Sequence, residues 1–329
     1  MKSSRIESLD WLRATALLMV LSCHWGQSIG WSRFGILGGV ANCIFFLLSG
    51  LGLGITWRDK GCGKLRMEFF KRRLVRLYGA FFVFLVPYVV LLLTTDFSDL
   101  HKILLNFLML SWFAKLPGAG HLWFVTGIAI CYVVMAALPI VDGYAQKRPW
   151  TTALVGLITC ALGQFFLCLI GITQGYFLMM VLLFAGAFIY GPQLMLFAQN
   201  NRPIAFFAVV PLAAVAFLVL WLDNSIDCGG NIYYWMCCCI AVAFTLVFVA
   251  FNVRLSIPLL SMISGISYEV YLCHYPLCTQ SPLSLVWMKS VNMMVYSVTY
   301  LGMAFALGWV IHTSTTLLKK IGRRVPSAR

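Results

Sequence analysis

Apolar stretches of roughly 18 to 22 residues recur along the whole chain, and each is long enough to cross a ~30 Å hydrocarbon core as a helix. Hydrophobic residues make up 61% of the 329 positions and charged residues only 10%, whereas soluble domains carry about 25% charged residues. A surface with so few charges matches lipid better than water. We therefore predict an all-α polytopic membrane protein whose residues 1–329 form a single transmembrane domain.

Hydropathy places about ten transmembrane helices in this chain. The predicted spans are residues 12–31, 34–57, 78–95, 121–141, 151–171, 175–196, 204–222, 232–251, 257–280 and 293–317. Between the third and fourth spans, residues 104–113 are apolar but too few to cross a bilayer. We expect residues 96–120 to form an extracytoplasmic re-entrant or interfacial segment.

The net charge of +14 comes from basic residues that cluster at the ends of alternating spans. With a cytoplasmic N-terminus, all but four of the 24 Lys and Arg residues fall on the cytoplasmic side; the exceptions are Arg33, Lys102, Lys115 and Lys289. This positive-inside bias predicts that both termini are cytoplasmic. Because no basic face belongs to a foldable soluble region, we do not expect nucleic acid as a partner.

Residues 58–77 form a basic segment that we place in the cytoplasm. Its second half alternates apolar and basic residues at helical spacing, as an interfacial helix that binds anionic lipid headgroups would. The alternative is that Arg73 and Arg76, one turn apart, face inward and hold phosphate groups through charge-assisted hydrogen bonds. Coenzyme A is a phosphorylated acyl donor that would suit such a site.

Ionisable side chains at membrane depth cost several kcal/mol, so each one suggests a functional site. Here they are Arg13, His24, His121, Glu269, His274 and His312. Arg13 and His24 are eleven residues apart, which on a helix is about 20° of rotation and about 16 Å of rise. A neutral His24 near the bilayer middle can act as a general base or nucleophile. The alternative is a helix-packing histidine with a snorkelling arginine, and we interpret His312 as a packing residue.

The ninth predicted span is more polar than a lipid-facing helix. Tyr271 and His274 are one turn apart, whereas Glu269 lies about 140° round the helix from His274. These residues either support substrate binding or join neighbouring helices. His121 and Trp123 open the fourth span at its outer end, where Trp is a common interface anchor and His is not.

Twelve cysteines could indicate a disulfide framework, but most lie inside apolar runs such as residues 237–239. Cysteines in such runs behave as small hydrophobic residues. No pair has zinc-ligand spacing with histidine partners. We therefore predict neither disulfides nor a metal site.

In identity, order and spacing, five segments resemble the acyltransferase family 3 of membrane proteins, over about residues 5–285. They are LDWLRATALLMVLSCHW from Leu9, FFLLSG from Phe45, RRLVRLY from Arg72, HLWFV from His121 and ISYEVYLCHYPL from Ile266. The most specific elements are the Arg13 to His24 spacing and the Arg73 and Arg76 pair. The middle spans match only as hydrophobic helices.

The resemblance implies an acyl-CoA-dependent O-acyltransferase of the bacterial inner membrane, with acyl-CoA as a co-substrate and no permanently bound cofactor. Arg13, Arg73 and Arg76 would bind the donor from the cytoplasm. His24 would deprotonate the acceptor or carry the acyl group itself. Acetyl is the expected acyl group.

The implied acceptor is a hydroxyl of a cell-surface polysaccharide or of its lipid-linked precursor, and membrane lipids are the other expected partners. The supporting residues would be His121, Trp123, Glu269, Tyr271 and His274. Members of the family often carry an acidic residue two positions before the FF pair, where this chain has Cys43. The role of that carboxylate therefore does not carry over.

A transporter or flippase for a lipid-linked or charged substrate is the competing class, because buried His and Arg side chains can line a polar pathway. The sequence shows neither paired interrupted helices nor internal repeats, which are typical of secondary transporters. A non-catalytic membrane scaffold would not need inward polar residues on three helices. No sequence feature indicates a particular oligomeric state.

Overall fold

The computed structural model describes residues 7–60, 66–95, 97–137, 176–200, 207, 209–222, 232–252 and 257–324. Every regular element in this part of the chain is helical, which confirms the all-α prediction. The predicted span at residues 151–171 lies outside the described residues, as do residues 1–6 and 325–329 at the two ends.

Eleven α-helices run through the described ranges. They are α1 (Glu7–Ser28), α2 (Gly35–Lys60), α3 (Arg66–Leu93), α4 (Leu100–Phe107), α5 (Trp123–Ala137), α6 (Tyr176–Asn200), α7 (Val210–Leu222), α8 (Ile232–Ala250), α9 (Pro258–Gly265), α10 (Ser267–Cys278) and α11 (Met293–Arg324). Short 3₁₀ helices precede α2 at Ser32–Phe34, α5 at Gly120–Leu122 and α11 at Val286–Ser290.

Four of the described helices are long and apolar enough to cross a membrane: α2, α3, α6 and α11. Shorter apolar helices are α5, α7 and α8. Helix α1 is not among the four, because polar residues such as Asp10, Arg13 and His24 interrupt its apolar character. These helices make the chain an all-α membrane protein, and the count of ten crossings stays a prediction.

Two predicted boundaries differ from the observed helices. The ninth predicted span, residues 257–280, is broken at Ile266, where φ is −110° and ψ is 9°, into α9 and α10. Ser267 Oγ donates to the Ser264 carbonyl across the break at 2.9 Å, which satisfies one of the freed backbone groups. In the basic segment, α3 begins at Arg66, so residues 66–77 continue without interruption into the third predicted span.

In residues 97–120, the described part of the segment at residues 96–120, the two-turn helix α4 is followed by turns up to the 3₁₀ helix that begins at Gly120. The Asp99 carboxylate caps α4 by accepting the Lys102 backbone N–H at 3.0 Å, and this bond together with the Lys102 ammonium lowers the pKa of the Asp99 carboxyl. Asn106 Nδ2 donates to the Ala114 carbonyl at 2.6 Å, and the Tyr88 hydroxyl of α3 donates to the Pro117 carbonyl at 2.6 Å. These bonds hold the turns that follow α4.

Hydrogen bonds hold the C-terminal half of α1 against α11. Trp25 Nε1 donates to Ser297 Oγ at 3.0 Å, and the buried Tyr300 hydroxyl donates to the Leu21 carbonyl at 3.2 Å. Each interhelical bond in a membrane contributes about 0.6 kcal/mol on average. The main effect of these two bonds is on geometry, because they set the rotation of α1 about its axis and hence the direction in which His24 points.

Candidate active site

A cavity of about 450 Å³ opens between α1, α2, α6, α8, α10 and the turn that precedes α5. We call it the histidine cavity, and its polar lining residues are His24, Gln27, Asn42, Lys115, His121 and Tyr275. Trp123 and Trp235 add broad aromatic surfaces. Its volume is within the range of small-molecule sites in proteins.

Three histidines from distant parts of the chain meet at this cavity. The His274 ring centroid lies 5.3 Å from that of His24 and 5.2 Å from that of His121. Tyr275 packs against both lining histidines, with ring centroids 4.6 Å from His24 and 4.9 Å from His121. His121 and His274 are almost completely buried, at 3% and 0% exposed, whereas His24 is partly accessible.

Each histidine has one ring nitrogen held by a carbonyl oxygen. His24 Nδ1 lies 3.0 Å from Gln27 Oε1, His121 Nε2 lies 3.0 Å from the Leu272 carbonyl, and His274 Nδ1 lies 2.6 Å from the Tyr271 carbonyl. Because a carbonyl oxygen only accepts, each held nitrogen carries the proton and the opposite nitrogen presents a lone pair. Among the described residues, His121 Nδ1 and His274 Nε2 have no hydrogen-bond partner. His24 therefore has the tautomer of a general base, with Nε2 available.

A second, smaller cavity of about 160 Å³ surrounds Arg13, and we call it the arginine cavity. Its other lining residues include Phe45, Phe124, Tyr132, Tyr268 and Tyr271. Arg13 Nη1 donates to Asp10 Oδ1 and to Ser264 Oγ, both at 3.3 Å. The buried Asp10 carboxylate also accepts from Ser264 Oγ at 3.0 Å, so α1 is tied to α9 at this point.

Helices α1, α2, α5 and α10 contribute side chains to both cavities. On α1, Arg13 lines the arginine cavity and His24 the histidine cavity, as the predicted shared face requires. On α2, Asn42 lines the histidine cavity and Phe45 the arginine cavity, one turn apart. Tyr271 of α10 lines both. The two cavities therefore meet at Tyr271, in the sense that this residue lines both of them.

Arg73 and Arg76 lie on α3 near the arginine cavity. Arg73 is half-buried, with its guanidinium 5.6 Å from the Phe69 ring centroid, whereas Arg76 is exposed. The charges of Arg73 and Arg13 both act on the Tyr132 hydroxyl, which lines the arginine cavity. Their predicted role in binding the donor stays a prediction.

Glu269 points away from the three histidines, as its angular separation from His274 predicts. Its Oε1 lies 3.1 Å from His312 Nδ1, so the pair links α10 to α11. Glu269 lines neither of the two cavities described above. His312, which we interpreted as a packing residue, thus packs through a polar contact.

The sequence model of the Acyl_transf_3 family, described as an acyltransferase domain, matches residues 6–313. The chain belongs to this acyltransferase family. The match spans nearly the whole chain and confirms the resemblance inferred from the five segments. No curated protein and no solved structure matches the chain.

Several residues of the candidate site of this acyltransferase were not predicted from its sequence. Gln27 lies one turn after His24 and Asp10 one turn before Arg13, so helical spacing from the two predicted residues could have indicated both. Asn42 and Trp235 carry no comparable signal, because only the packing of α2 and α8 brings them to the cavity. Cys43, at the position where relatives often carry an acid, is buried in the core.

The chemistry available at this site is proton transfer and hydrogen bonding. Within the described ranges, no three His, Cys, Asp or Glu side chains are arranged to hold a metal ion. His24 offers a basic nitrogen beside a polar cavity, and Arg13 offers a fixed positive charge in the neighbouring one. A base and an anion-binding group in two cavities that share a lining residue suit the transfer of a group from an anionic donor.

Proposed function

We propose that this acyltransferase moves an acetyl group from cytoplasmic acyl-CoA to a hydroxyl of a cell-surface polysaccharide or of its lipid-linked precursor. The observation that carries the proposal is the placement of Arg13 and His24 on one face of α1, in two cavities that meet at Tyr271. An acyl group carried by a long, flexible donor arm could pass from the first cavity to the second.

The donor end would be the arginine cavity. Arg13, supported by Arg73 and Arg76 on α3, would bind the phosphate groups of acyl-CoA through charge-assisted hydrogen bonds. The distribution of basic residues supports a cytoplasmic location for this end, in a bacterial inner membrane protein with ten spans and both termini inside. The basic segment at residues 58–77 would also contact anionic lipids.

The acceptor end would be the histidine cavity. Trp123 and Trp235 offer flat aromatic faces on which a sugar ring can pack, and the Gln27 and Asn42 amides can hydrogen-bond to hydroxyls. This lining is more polar and the cavity larger than at the arginine end. Those properties support an acceptor with several hydroxyl groups.

In the proposed mechanism, His24 Nε2 removes the proton from the acceptor hydroxyl as its oxygen attacks the thioester carbonyl carbon. The Gln27 oxygen, 3.0 Å from Nδ1, holds the ring and stabilises the imidazolium. The C–S bond then breaks, the acyl group stays on the acceptor oxygen, and the coenzyme A thiolate takes the proton from His24 Nε2. The products are an ester and a free thiol, and His24 returns to its neutral form.

The decisive experiment places purified protein in lipid vesicles with radiolabelled acetyl-CoA and a mixed glycan extract, and compares wild type with His24→Ala. We expect label in the glycan to fall by roughly 10²- to 10⁴-fold in the variant, the usual contribution of general-base catalysis. His101→Ala is the matched control, because His101 is exposed on α4, away from both cavities. Thermal unfolding of each variant checks that the fold is retained.

Two outcomes would contradict the proposal in different ways. Equal labelling by wild type and His24→Ala would show that His24 is not the general base, and His121 or His274 would become the candidate. If the wild-type protein consumes no thioester at all, the transporter or flippase becomes the better hypothesis, because a transporter or flippase needs no acyl donor.

A further inference from the structure

Tyr271 occupies the position where the two cavities meet, and among the described residues it is the one side chain that lines both. It is 4% exposed. On α10, Tyr268 precedes it on the arginine side and Tyr275 follows it on the histidine side. The Tyr271 side chain therefore borders both cavities.

Aromatic contacts hold this ring in place. Its centroid lies 5.0 Å from that of Phe124 and 6.4 Å from that of Phe45, both of which line the arginine cavity. Phe124 is in turn backed by the fully buried Phe46, with centroids 5.1 Å apart. Three rings from α2, α5 and α10 therefore form an apolar partition at this level.

A hydrogen bond connects the partition to the acceptor end. The Tyr271 hydroxyl donates to the His121 backbone carbonyl at 2.8 Å. The His121 ring lines the histidine cavity, and its centroid lies 5.4 Å from that of Tyr271. An acceptor that contacts His121 therefore acts on the residue that holds Tyr271 in position.

We propose that Tyr271 determines whether the acyl group reaches the acceptor or water, a specificity role that rests on the proposed function above. Water enters a polar cavity such as the histidine cavity readily, whereas the arginine cavity is small and largely aromatic. With the Tyr271 ring in place, a thioester in the arginine cavity is separated from that water. An acceptor that fills the histidine cavity displaces the water before the thioester carbonyl reaches His24.

The competing reaction is hydrolysis of the donor. Water attacks the thioester carbonyl carbon, the C–S bond breaks, and the products are the free acid and the coenzyme A thiol. His24 would serve as base for water as well as for an acceptor hydroxyl. Removal of the partition should therefore speed hydrolysis without a change in the groups that carry out the chemistry.

The test measures thiol release from acetyl-CoA without acceptor and acetyl transfer with acceptor, using full-length protein in vesicles. For Tyr271→Ala we expect the ratio of hydrolysis to transfer to rise on the order of tenfold, because water is no longer excluded from the donor. For Tyr271→Phe, which keeps the ring and loses the bond to His121, we expect a rise of roughly threefold, as for one lost hydrogen bond.

Tyr88 provides matched control variants. It is a buried tyrosine whose hydroxyl also donates to a backbone carbonyl, that of Pro117, and it lines neither cavity. Tyr88→Ala and Tyr88→Phe should leave the ratio at the wild-type value. If Tyr271→Ala does not fold, Tyr271→Leu keeps apolar bulk without the ring or the hydroxyl, and we expect of it a rise between those of Tyr271→Phe and Tyr271→Ala.

The outcomes separate this inference from the proposed function. An unchanged ratio in a folded, active Tyr271 variant would overturn the inference and leave the acetyl-transfer proposal intact. An equal rise in the Tyr88 variants would also overturn it, because a general loosening of the bundle would then explain the effect. Wild-type protein that releases no thiol, with or without acceptor, would overturn the proposed function itself.

Discussion

The histidine cavity and the arginine cavity differ in size and lining, although four of the helices contribute to both. The first measures about 450 Å³ and presents amides, an ammonium and imidazoles, whereas the second measures about 160 Å³ and places one guanidinium among aromatic rings. A single helix, α1, thus lines a large polar cavity with His24 and a small aromatic cavity with Arg13, three turns away. The contrast suggests separate tasks, and variants that affect one cavity alone can test it.

The largest effect on the arginine cavity should come from Arg13→Gln. Glutamine can still donate to Asp10 and Ser264 but carries no charge, so the KM for acetyl-CoA should rise roughly 10- to 100-fold, as for a lost charged hydrogen bond. The KM for the acceptor should stay the same. Steady-state kinetics with each substrate varied in turn measures both.

Arg33→Gln is the control for this prediction, because Arg33 is an exposed arginine in the 3₁₀ helix before α2. It removes the same charge away from both cavities. If Arg13→Gln raised the acceptor KM and left the donor KM unchanged, the assignment of the two cavities would have to be reversed.

A smaller effect, confined to the histidine cavity, is expected from Gly39→Ala. A Cβ at Gly39 would overlap the Trp235 ring, so the ring must shift within the acceptor end. We expect the acceptor KM to rise roughly five- to tenfold, with the donor KM unchanged and a loss of about 1–3 kcal/mol in stability from overpacking.

Gly52→Ala on the same helix is the matched control. A Cβ there meets nothing within 4 Å, so kinetics and thermal stability should remain close to those of wild type. If both glycine variants raised the acceptor KM equally, the cause would be a general change in helix α2 and not a shift of the Trp235 ring.

The smallest effect should come from Glu269→Gln, because Glu269 faces His312 and lines neither cavity. We expect acetyl transfer with unchanged kcat and KM, and a loss of about 0.6 kcal/mol in stability, as is typical of a polar pair between membrane helices. Thermal unfolding of Glu269→Gln, His312→Gln and the double variant measures the coupling. A large loss of transfer would instead support the role for Glu269 in the site that the family resemblance implies.

Helical periodicity accounts for the part of the site that was predictable. The eleven-residue spacing placed Arg13 and His24 on one face of α1, and the angle between Glu269 and His274 placed them on different faces of α10. Each of these statements concerns one helix, whose geometry is nearly independent of its surroundings. Their catalytic and binding roles remain predictions.

The contacts between helices could not be predicted in this way. His121 and the Leu272 carbonyl are 151 positions apart in sequence, and only the packing of α1 and of the 3₁₀ helix before α5 against α10 joins the three histidines. Asp10 was missed because it lies at the start of the first apolar stretch, where an acidic residue resembles a solvent-exposed end. The break at Ile266 was missed because hydropathy averages over a window longer than one turn.

The interruption at Ile266 also separates a helix that contacts the Arg13 end of the site from a helix that carries His274. Ser264 on α9 is bonded to Asp10 beside Arg13, whereas His274 on α10 packs against His24 and His121 at the other end. A continuous helix would transmit any tilt at its first residues to its last ones as a rigid rod. Because the helix is broken at Ile266, we expect a shift of α9 on donor binding to leave the orientation of the His274 ring unchanged.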